Sequence, residues 1–180
     1  VPYLRGIMDA FNDPKVRSIA VQKATQVAYT EALLNVVGYC IDVEPCPILW
    51  LLPNEKQVEE ISKNRLAPML KDTPRVAKKV KPARSRDSSN TIADKQFIGG
   101  RLSLVSSNSA ADLASKPVRV VIEDECDRFA ASAGAEGDPS TLASKRQAWF
   151  WNAKTVQGSS PTIKGQSKIN SAYEASDKRQ

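Results

Sequence analysis

Residues 118–127, reading V-R-V-V-I-E-D-E-C-D, constrain this chain more than any other stretch. Val118, Val120, Val121 and Ile122 form a β-branched run, the pattern of a buried strand in a parallel sheet. Glu123, Asp124 and Glu125 follow without a gap. Unpaired carboxylates are costly to bury, so the strand is predicted to end where water, a metal or a ligand reaches them. In open α/β sheets the carboxyl ends of the strands are where ligands bind. A strand leading into a solvated acidic turn has the same signature, so these acids must be read with the rest of the chain.

The 180 residues suit a single domain with a full core. No apolar run approaches transmembrane length, and no signal peptide is recognisable. The chain opens on Val1 in sequence that already reads as folded, so a fragment of a longer protein is expected. Cys40, Cys46 and Cys126 form no Cys-x-x-Cys pair, and histidine is absent. This argues against a zinc site and a disulfide framework, and it fits a reducing cytosol. Without histidine, Ser-His-Asp and Cys-His catalysis within the chain are excluded. The net charge of +6 permits contact with a polyanion. Arg75, Lys78, Lys79, Lys81, Arg84 and Arg86 crowd into one stretch, which reads either as a solvated loop or as a DNA-facing surface.

Leu4, Ile7, Met8 and Phe11 recur at helical spacing and predict a short amphipathic helix. Residues 18–21 read as a first strand. Residues 31–41 read as a helix with a broad buried face of Leu33, Leu34, Val36 and Val37. A second buried strand is expected over 48–52 and a helix over 55–70. Segments 91–98 and 101–106 flank Gly99-Gly100, a hairpin signal. A short helix is predicted over 109–115. Residues 129–140, rich in Gly, Ala, Asp and Pro, are expected to form a mobile loop. A helix over 142–151 would carry Trp149, Phe150 and Trp151, with a strand over 154–157 and a last helix over 169–176. This order is α/β, with a mainly parallel sheet flanked by helices and a β-hairpin insertion.

A hydrophobic strand ending in Asp-Glu is the Walker B pattern of P-loop ATPases, in which the Asp holds Mg²⁺ and the Glu activates the attacking water. On this register Asp124 is the metal residue and Glu125 the base. The standard phosphate loop G-x-x-x-x-G-K-[ST], or Walker A, is absent. Lys23, Ala24, Thr25, Gln26, Val27, Ala28, Tyr29 and Thr30 stand in its place, between a strand and a helix. A phosphate site needs amides at a helix N-terminus, a cation and a hydroxyl for the metal. Lys23 can supply the cation from the front of the loop and Thr30 the hydroxyl. Gly158, Ser159, Ser160, Pro161 and Thr162 follow the last predicted strand, where two-lobed motors carry a turn that senses the γ-phosphate. By themselves, a Lys and a Thr at this spacing and a Ser/Gly/Pro turn are weak signals; their order around the acidic strand makes the combination telling.

Together these residues resemble the ATPase part of the large terminase subunit of tailed bacteriophages, of the lambda (GpA-like) type. The resemblance runs through nearly the whole chain and takes in Pro2-Tyr3-Leu4-Arg5, the segment from Lys23 to Thr30, Pro47-Ile48-Leu49-Trp50, Leu66-Ala67-Pro68, the segment from Val120 to Glu125, Glu136-Gly137-Asp138-Pro139 and the turn from Gly158 to Thr162. A phosphate-loop lysine at the front of the motif is the family's own deviation. The resemblance implies a P-loop NTPase fold of the RecA/ASCE kind, ATP and Mg²⁺ as ligands, and one motor domain over 1–180. It implies Lys23 on the β/γ-phosphates, Thr30 and Asp124 on Mg²⁺, Glu125 on the water, and Gly158, Ser159, Ser160, Pro161 and Thr162 as the coupling motif. Tyr3 and Arg5 lie where the family places adenine-side contacts. The implied work is packaging of double-stranded DNA into a procapsid in the host cytoplasm. The implied partners are a portal protein, a small terminase subunit and further copies of the subunit in a ring. The family's nuclease is a separate C-terminal domain, and residues 162–180 offer only Glu174 and Asp177 as acids, so no nuclease activity is expected.

Three positions depart from the family pattern. Ala28 stands where the family usually has Gly, which adopts a positive φ that Ala takes only at a cost. Glu31 follows Thr30 where a basic residue is common, and a carboxylate there repels phosphate unless it points away. The Arg that many relatives carry before the acidic strand is missing, leaving Lys116 or Arg119 as the candidate trans-acting cation. Two alternatives stay open: another RecA-like nucleic-acid motor of the superfamily-two helicase type, and a catalytically weakened DNA-binding or assembly module on the same fold.

Overall fold

The computed structural model describes residues 2–81 and 91–178. Helix α1 (Leu4–Asn12) turns its apolar stripe inward and buries Phe11. Strand β1 (Ser18–Gln22) leads through the loop 23–28 into α2 (Tyr29–Asp42), the longest helix described. After β2 (Pro47–Leu52), Asn54 accepts a hydrogen bond from the Gln57 amide at 3.0 Å and caps α3 (Glu55–Ile61). The helix continues through a π-helical turn, Ser62–Leu66, into α4 (Ala67–Asp72). Pro68 has no N–H to continue the α ladder, and the path widens just before it. Then come α5 (Pro74–Ala77), β3 (Asp94–Phe97), β4 (Gly100–Ser106), α6 (Ala110–Ala114) and β5 (Val120–Asp124). A 3-10 turn, Cys126–Arg128, is followed by α7 (Pro139–Lys145), β6 (Lys154–Ser159) and α8 (Lys168–Glu174).

One six-stranded sheet runs in the order β1-β6-β5-β2-β4-β3. Every pairing is parallel except the β3–β4 hairpin. Phe97 pairs with Gly100, so the hairpin turn is Ile98-Gly99 and Gly100 already belongs to the strand. Helices α1 to α5 cover one face through Phe11, Leu33, Val36, Val58, Leu70 and Val76, packed on Ile48, Trp50, Leu102, Ile122 and Val156. Helices α6, α7 and α8 cover the other through Leu113, Leu142 and Ile169, packed on Leu49, Leu51, Val105 and Val121. Central strands buried on both faces explain the uninterrupted apolar runs of β2 and β5. Among the described residues, no helix is long and apolar enough to cross a membrane.

Three sequence expectations need correction. Glu123 does not reach solvent: it lies inside β5 and is 3 % exposed, because the pleat turns it onto the α7–α8 face, away from Asp124. The stretch 129–140 is not a loose loop. Phe129 and Ala133 are buried in the second core, Ala133 N donates to Gly137 O at 2.8 Å, and Pro139 and Ser140 open α7. Asp138 caps that helix by accepting from the Thr141 amide at 2.8 Å, with Pro139 in its first turn. Nor does α7 run to residue 151. Arg146 Nη1 donates to Ala114 O at 2.8 Å, and Gln147 Nε2 donates to the carbonyls of Arg119 and Lys154 at 3.0 and 2.8 Å. These bonds draw the chain across the starts of β5 and β6, and Trp149 and Trp151 are left 86 % and 80 % exposed.

Candidate active site

The C-terminal ends of β1, β5 and β6 converge because these strands are adjacent and parallel. The loop after β1 delivers Lys23, whose backbone N–H extends the ladder by donating to Ser159 O at 3.1 Å. Ala24, Thr25 and Gln26 are exposed, and the loop ends on Ala28 as N-cap of α2. Thr30, in the first turn of α2, donates from Oγ1 to Asp124 Oδ2 at 3.5 Å. Lys23 Nζ forms an ion pair with Glu125, the residue just past β5. Lys23, Thr30, Asp124 and Glu125 therefore form one cluster, although about 100 residues separate its two halves. Beside it lies a cavity of about 440 Å³ lined by Gln22, Lys23, Ala24, Pro161 and Tyr173.

Backbone strain concentrates here. Among the described residues the non-glycine positions with positive φ are Gln26 (59°), Ala28 (57°) and Glu125 (57°), all in this cluster. Side chains in that region cost roughly 1–2 kcal/mol each, and such outliers collect at functional sites. Gly158 is required sterically: a Cβ there would lie 2.3 Å from Tyr29 Cζ. The Tyr29 ring lies against Gly158, and Lys23 Nζ sits 5.3 Å from its centroid. The buried hydroxyls of Tyr29 and Ser160 have no hydrogen-bond partner. Burial, with Asp124 as the next contributor, pushes the Tyr29 phenol well up and keeps it a neutral donor.

Burial also pushes the Asp124 carboxyl up to about 6, Lys23 pulling against it and Glu125 adding to it. A cation placed between the Thr30 hydroxyl and the Asp124 carboxylate would favour the ionised form. These are hard oxygen donors of the kind Mg²⁺ takes. Lys23 and the N-terminus of α2 together would suit an anion. The residues thus fit a magnesium–phosphate ligand. Glu31 does not oppose it, because its carboxylate pairs with Arg65 of the π-helical turn and points away from the loop.

The remaining predicted residues are scattered. Tyr3 donates from its hydroxyl to Val27 O at 2.9 Å and so braces the loop, while Arg5 faces Asp9 at 3.8 Å on the exposed side of α1. Arg75 and Lys79 straddle Asp42 at 2.8 and 3.0 Å, and Lys81 donates to Gln96 at 3.0 Å. Lys78 is exposed, and Arg84 and Arg86 lie outside the described residues. Arg119 is 5 % exposed and bonded to Glu44 at 2.8 Å, just before the first residue of β5 and opposite the end that carries Asp124. A buried, paired guanidinium cannot reach across to another subunit, so Arg119 is withdrawn as a trans-acting cation; Lys116 is exposed. Sequence reasoning missed Asp127, which binds Thr162 and Ile169, and Tyr173, which lines the cavity. Only the pattern D-E-x-D hinted at Asp127. Nothing local pointed to Tyr173.

The fold and this cluster define a P-loop type of α/β domain. Similar solved structures are the HK97 bacteriophage large terminase (TM-score 0.70, 14 % identity, 88 % of this chain and 33 % of that one) and the Thermus phage P74-26 large terminase ATPase domain (TM-score 0.54, 16 % identity, 82 % and 61 %). At these identities the likeness speaks for the fold. The family model for the phage terminase large subunit gpA, ATPase domain, matches residues 1–180, and the chain belongs to that family. The terminase large subunits of Enterobacteria phage P21 and Escherichia phage lambda are each 29 % identical to it over 174 residues. That match covers 96 % of this chain and 27 % of each relative, so the chain spans about a quarter of their length.

Proposed function

We propose that this chain is the ATP-hydrolysing motor domain of a phage DNA-packaging terminase, a single domain of a longer subunit. The observation that carries the reading is the meeting of Lys23 and Thr30 with Asp124 and Glu125 at one end of the sheet. In this reading Lys23 leaves Glu125 to hold the β/γ-phosphates of ATP, and the α2 amides cradle them. Thr30 and Asp124 would hold Mg²⁺, which would supply neutralisation of the charge on the phosphates. Glu125, released from its ion pair, orients a water and takes its proton. Phosphoryl transfer needs mostly positioning and charge stabilisation, which four convergent polar groups can supply.

The turn from Gly158 to Thr162 is the coupling element, and its buried Ser160 hydroxyl has no hydrogen-bond partner. Tyr3 braces the loop on the base side. The substrate moved is double-stranded DNA, with a portal protein, a small subunit and further copies of this subunit as partners in the host cytoplasm. Lys116 is the remaining candidate for a cation supplied to a neighbouring subunit. The isolated domain is expected to hydrolyse slowly and to have no nuclease activity; metal-dependent cleavage of plasmid DNA by the purified chain would overturn the second point.

The test is titration with a fluorescent, non-hydrolysable ATP analogue and Mg²⁺, beside Lys23→Ala. Saturable binding that the substitution abolishes supports the reading. Absence of binding by both proteins overturns it in favour of a non-catalytic module. The strained Ala28 is the observation that favours that second reading. Stimulation of hydrolysis by single strands without any capsid partner would favour a helicase-type motor instead.

A further inference from the structure

Asp127 sits in the 3-10 turn two residues beyond Glu125, and its carboxylate gathers donors from separate parts of the chain. Oδ2 accepts from the Thr162 amide at 3.0 Å and the Thr162 hydroxyl at 3.1 Å, while Oδ1 accepts from the Ile169 amide at 2.8 Å. The nearby Ser167 side chain also helps to hold the carboxylate ionised. Its own amide donates to Ser159 Oγ at 3.3 Å, and that same hydroxyl lies 3.4 Å from Glu125 Oε2. Among the described residues no lysine or arginine forms an ion pair with Asp127, so both oxygens are filled by neutral donors. Burial pushes the carboxyl up, but these bonds outweigh it and hold the group ionised, below the usual carboxylate range.

The donors have one thing in common. Thr162 ends the proposed coupling turn. Ser167 and Ile169 begin α8, which carries Tyr173 to the wall of the cavity beside Lys23. A single carboxylate thus joins the turn that bears Glu125 to the coupling turn and to one cavity wall. We propose that Asp127 is a positioning residue that locks the turn from Gly158 to Thr162 and helix α8 to the Glu125 turn, so that movement of Glu125 is passed to α8. This rests on the ATPase reading above. Glu125 is tied to Lys23, and a phosphate ligand competes for that lysine, so Glu125 must change partners when one binds. Without Asp127 the change would stop at the turn. A shared network of this kind is worth more than its separate bonds, because each partner pre-aligns the others.

Asp127→Asn is the sharp test. It keeps the shape but turns one acceptor oxygen into an N–H₂ that faces donors. The full chain with Mg²⁺ would be followed by analogue binding, steady-state hydrolysis and hydrogen exchange with and without analogue. Analogue affinity is expected within about 2-fold of wild type, with kcat down about 10-fold or more at unchanged KM. Nucleotide-dependent changes in exchange over residues 163–174 should disappear while those over 23–30 persist. Thr162→Val, which removes one donor and keeps the shape, should shift both readouts in the same direction by a smaller factor, and it decides the matter if Asp127→Asn does not fold. If wild type binds and hydrolyses while the folded variants match it in kcat, or still transmit the exchange change to 163–174, the role of Asp127 is overturned and the ATPase reading stands. If wild type shows no Lys23-dependent binding, the ATPase reading fails and the coupling role fails with it.

Discussion

Glu123 and Asp124 are neighbours on one strand, both buried and both raised by burial, yet they face different worlds. Asp124 meets Thr30, Lys23 and a strained loop at the open strand end. Glu123 meets Ser140 Oγ at 3.0 Å under α7, close to the ion pair of Asp138 with Lys168. The first lies where the ends of three elements meet, among a lysine, a second carboxylate and a hydroxyl; the second lies under one helix and is bonded by a single serine. Acidity and burial do not distinguish a site from a core position here. What distinguishes them is how many separate elements bring polar groups to the carboxylate.

The largest test of that contrast is on hydrolysis. Asp124→Asn should lower kcat by about 100-fold or more, the usual scale for losing one charge-stabilising group, while Glu123→Gln should stay within about 2-fold. Equal losses in steady-state assays would break the comparison.

A pH series sharpens it. The Glu123 carboxyl is pushed from 4.5 to about 7 by burial, opposed by its bond from Ser140. Between those values the folded protein holds a proton that the unfolded chain has released, so stability falls as pH rises from about 4.5 to about 7. The fall attributable to this group is up to about 3 kcal/mol. Denaturant melts at several pH values should show a shallower decline for Glu123→Gln. An unchanged slope would mean that Glu123 is ionised in its core.

Gly158→Ala tests the open end by packing. A Cβ at 2.3 Å from the Tyr29 ring must push the ring aside, at about 1–3 kcal/mol. That corresponds to a melting point roughly 2–10 °C lower for a domain of this size, with analogue binding weakened in parallel. Full-strength binding in the folded variant would mean that the Tyr29–Gly158 contact does not shape the site.

The smallest effect belongs to Ala28→Gly. Relief of the positive φ is partly offset by the freer unfolded chain, leaving a gain of about 0.5 kcal/mol. A melting point raised by about 1–2 °C and tighter analogue binding are expected; a loss of stability would show that the loop is not strained at Ala28.

Much of this architecture was readable in advance. The apolar runs at 48–52 and 120–122 read as strands buried on both faces, and their alternation with helices pointed to a mainly parallel sheet. Lys23 and Thr30 were weak signals by themselves; their order relative to the acidic strand singled them out together with Asp124 and Glu125, and the fold brings these four residues together. The pleat could have separated Glu123 from Asp124, since successive side chains on a strand point to opposite faces. Taking the acids as one unit hid that signal. The helix expected over 142–151 failed because its terminator is tertiary: Gln147 finds two carbonyls at the starts of neighbouring strands.

The strands and most helices, their order along the chain, and the residue types that stand at the strand ends were therefore set locally. They follow from periodicity and covalent adjacency, which act over a few residues. Long-range packing settled the rest: Glu31 turns to Arg65, Arg119 is spent on Glu44, and Asp127 collects Thr162 and Ile169. Each of these partners comes from a separate segment, brought within bonding distance by the packing of helices and strands, and no local spacing encodes such a meeting.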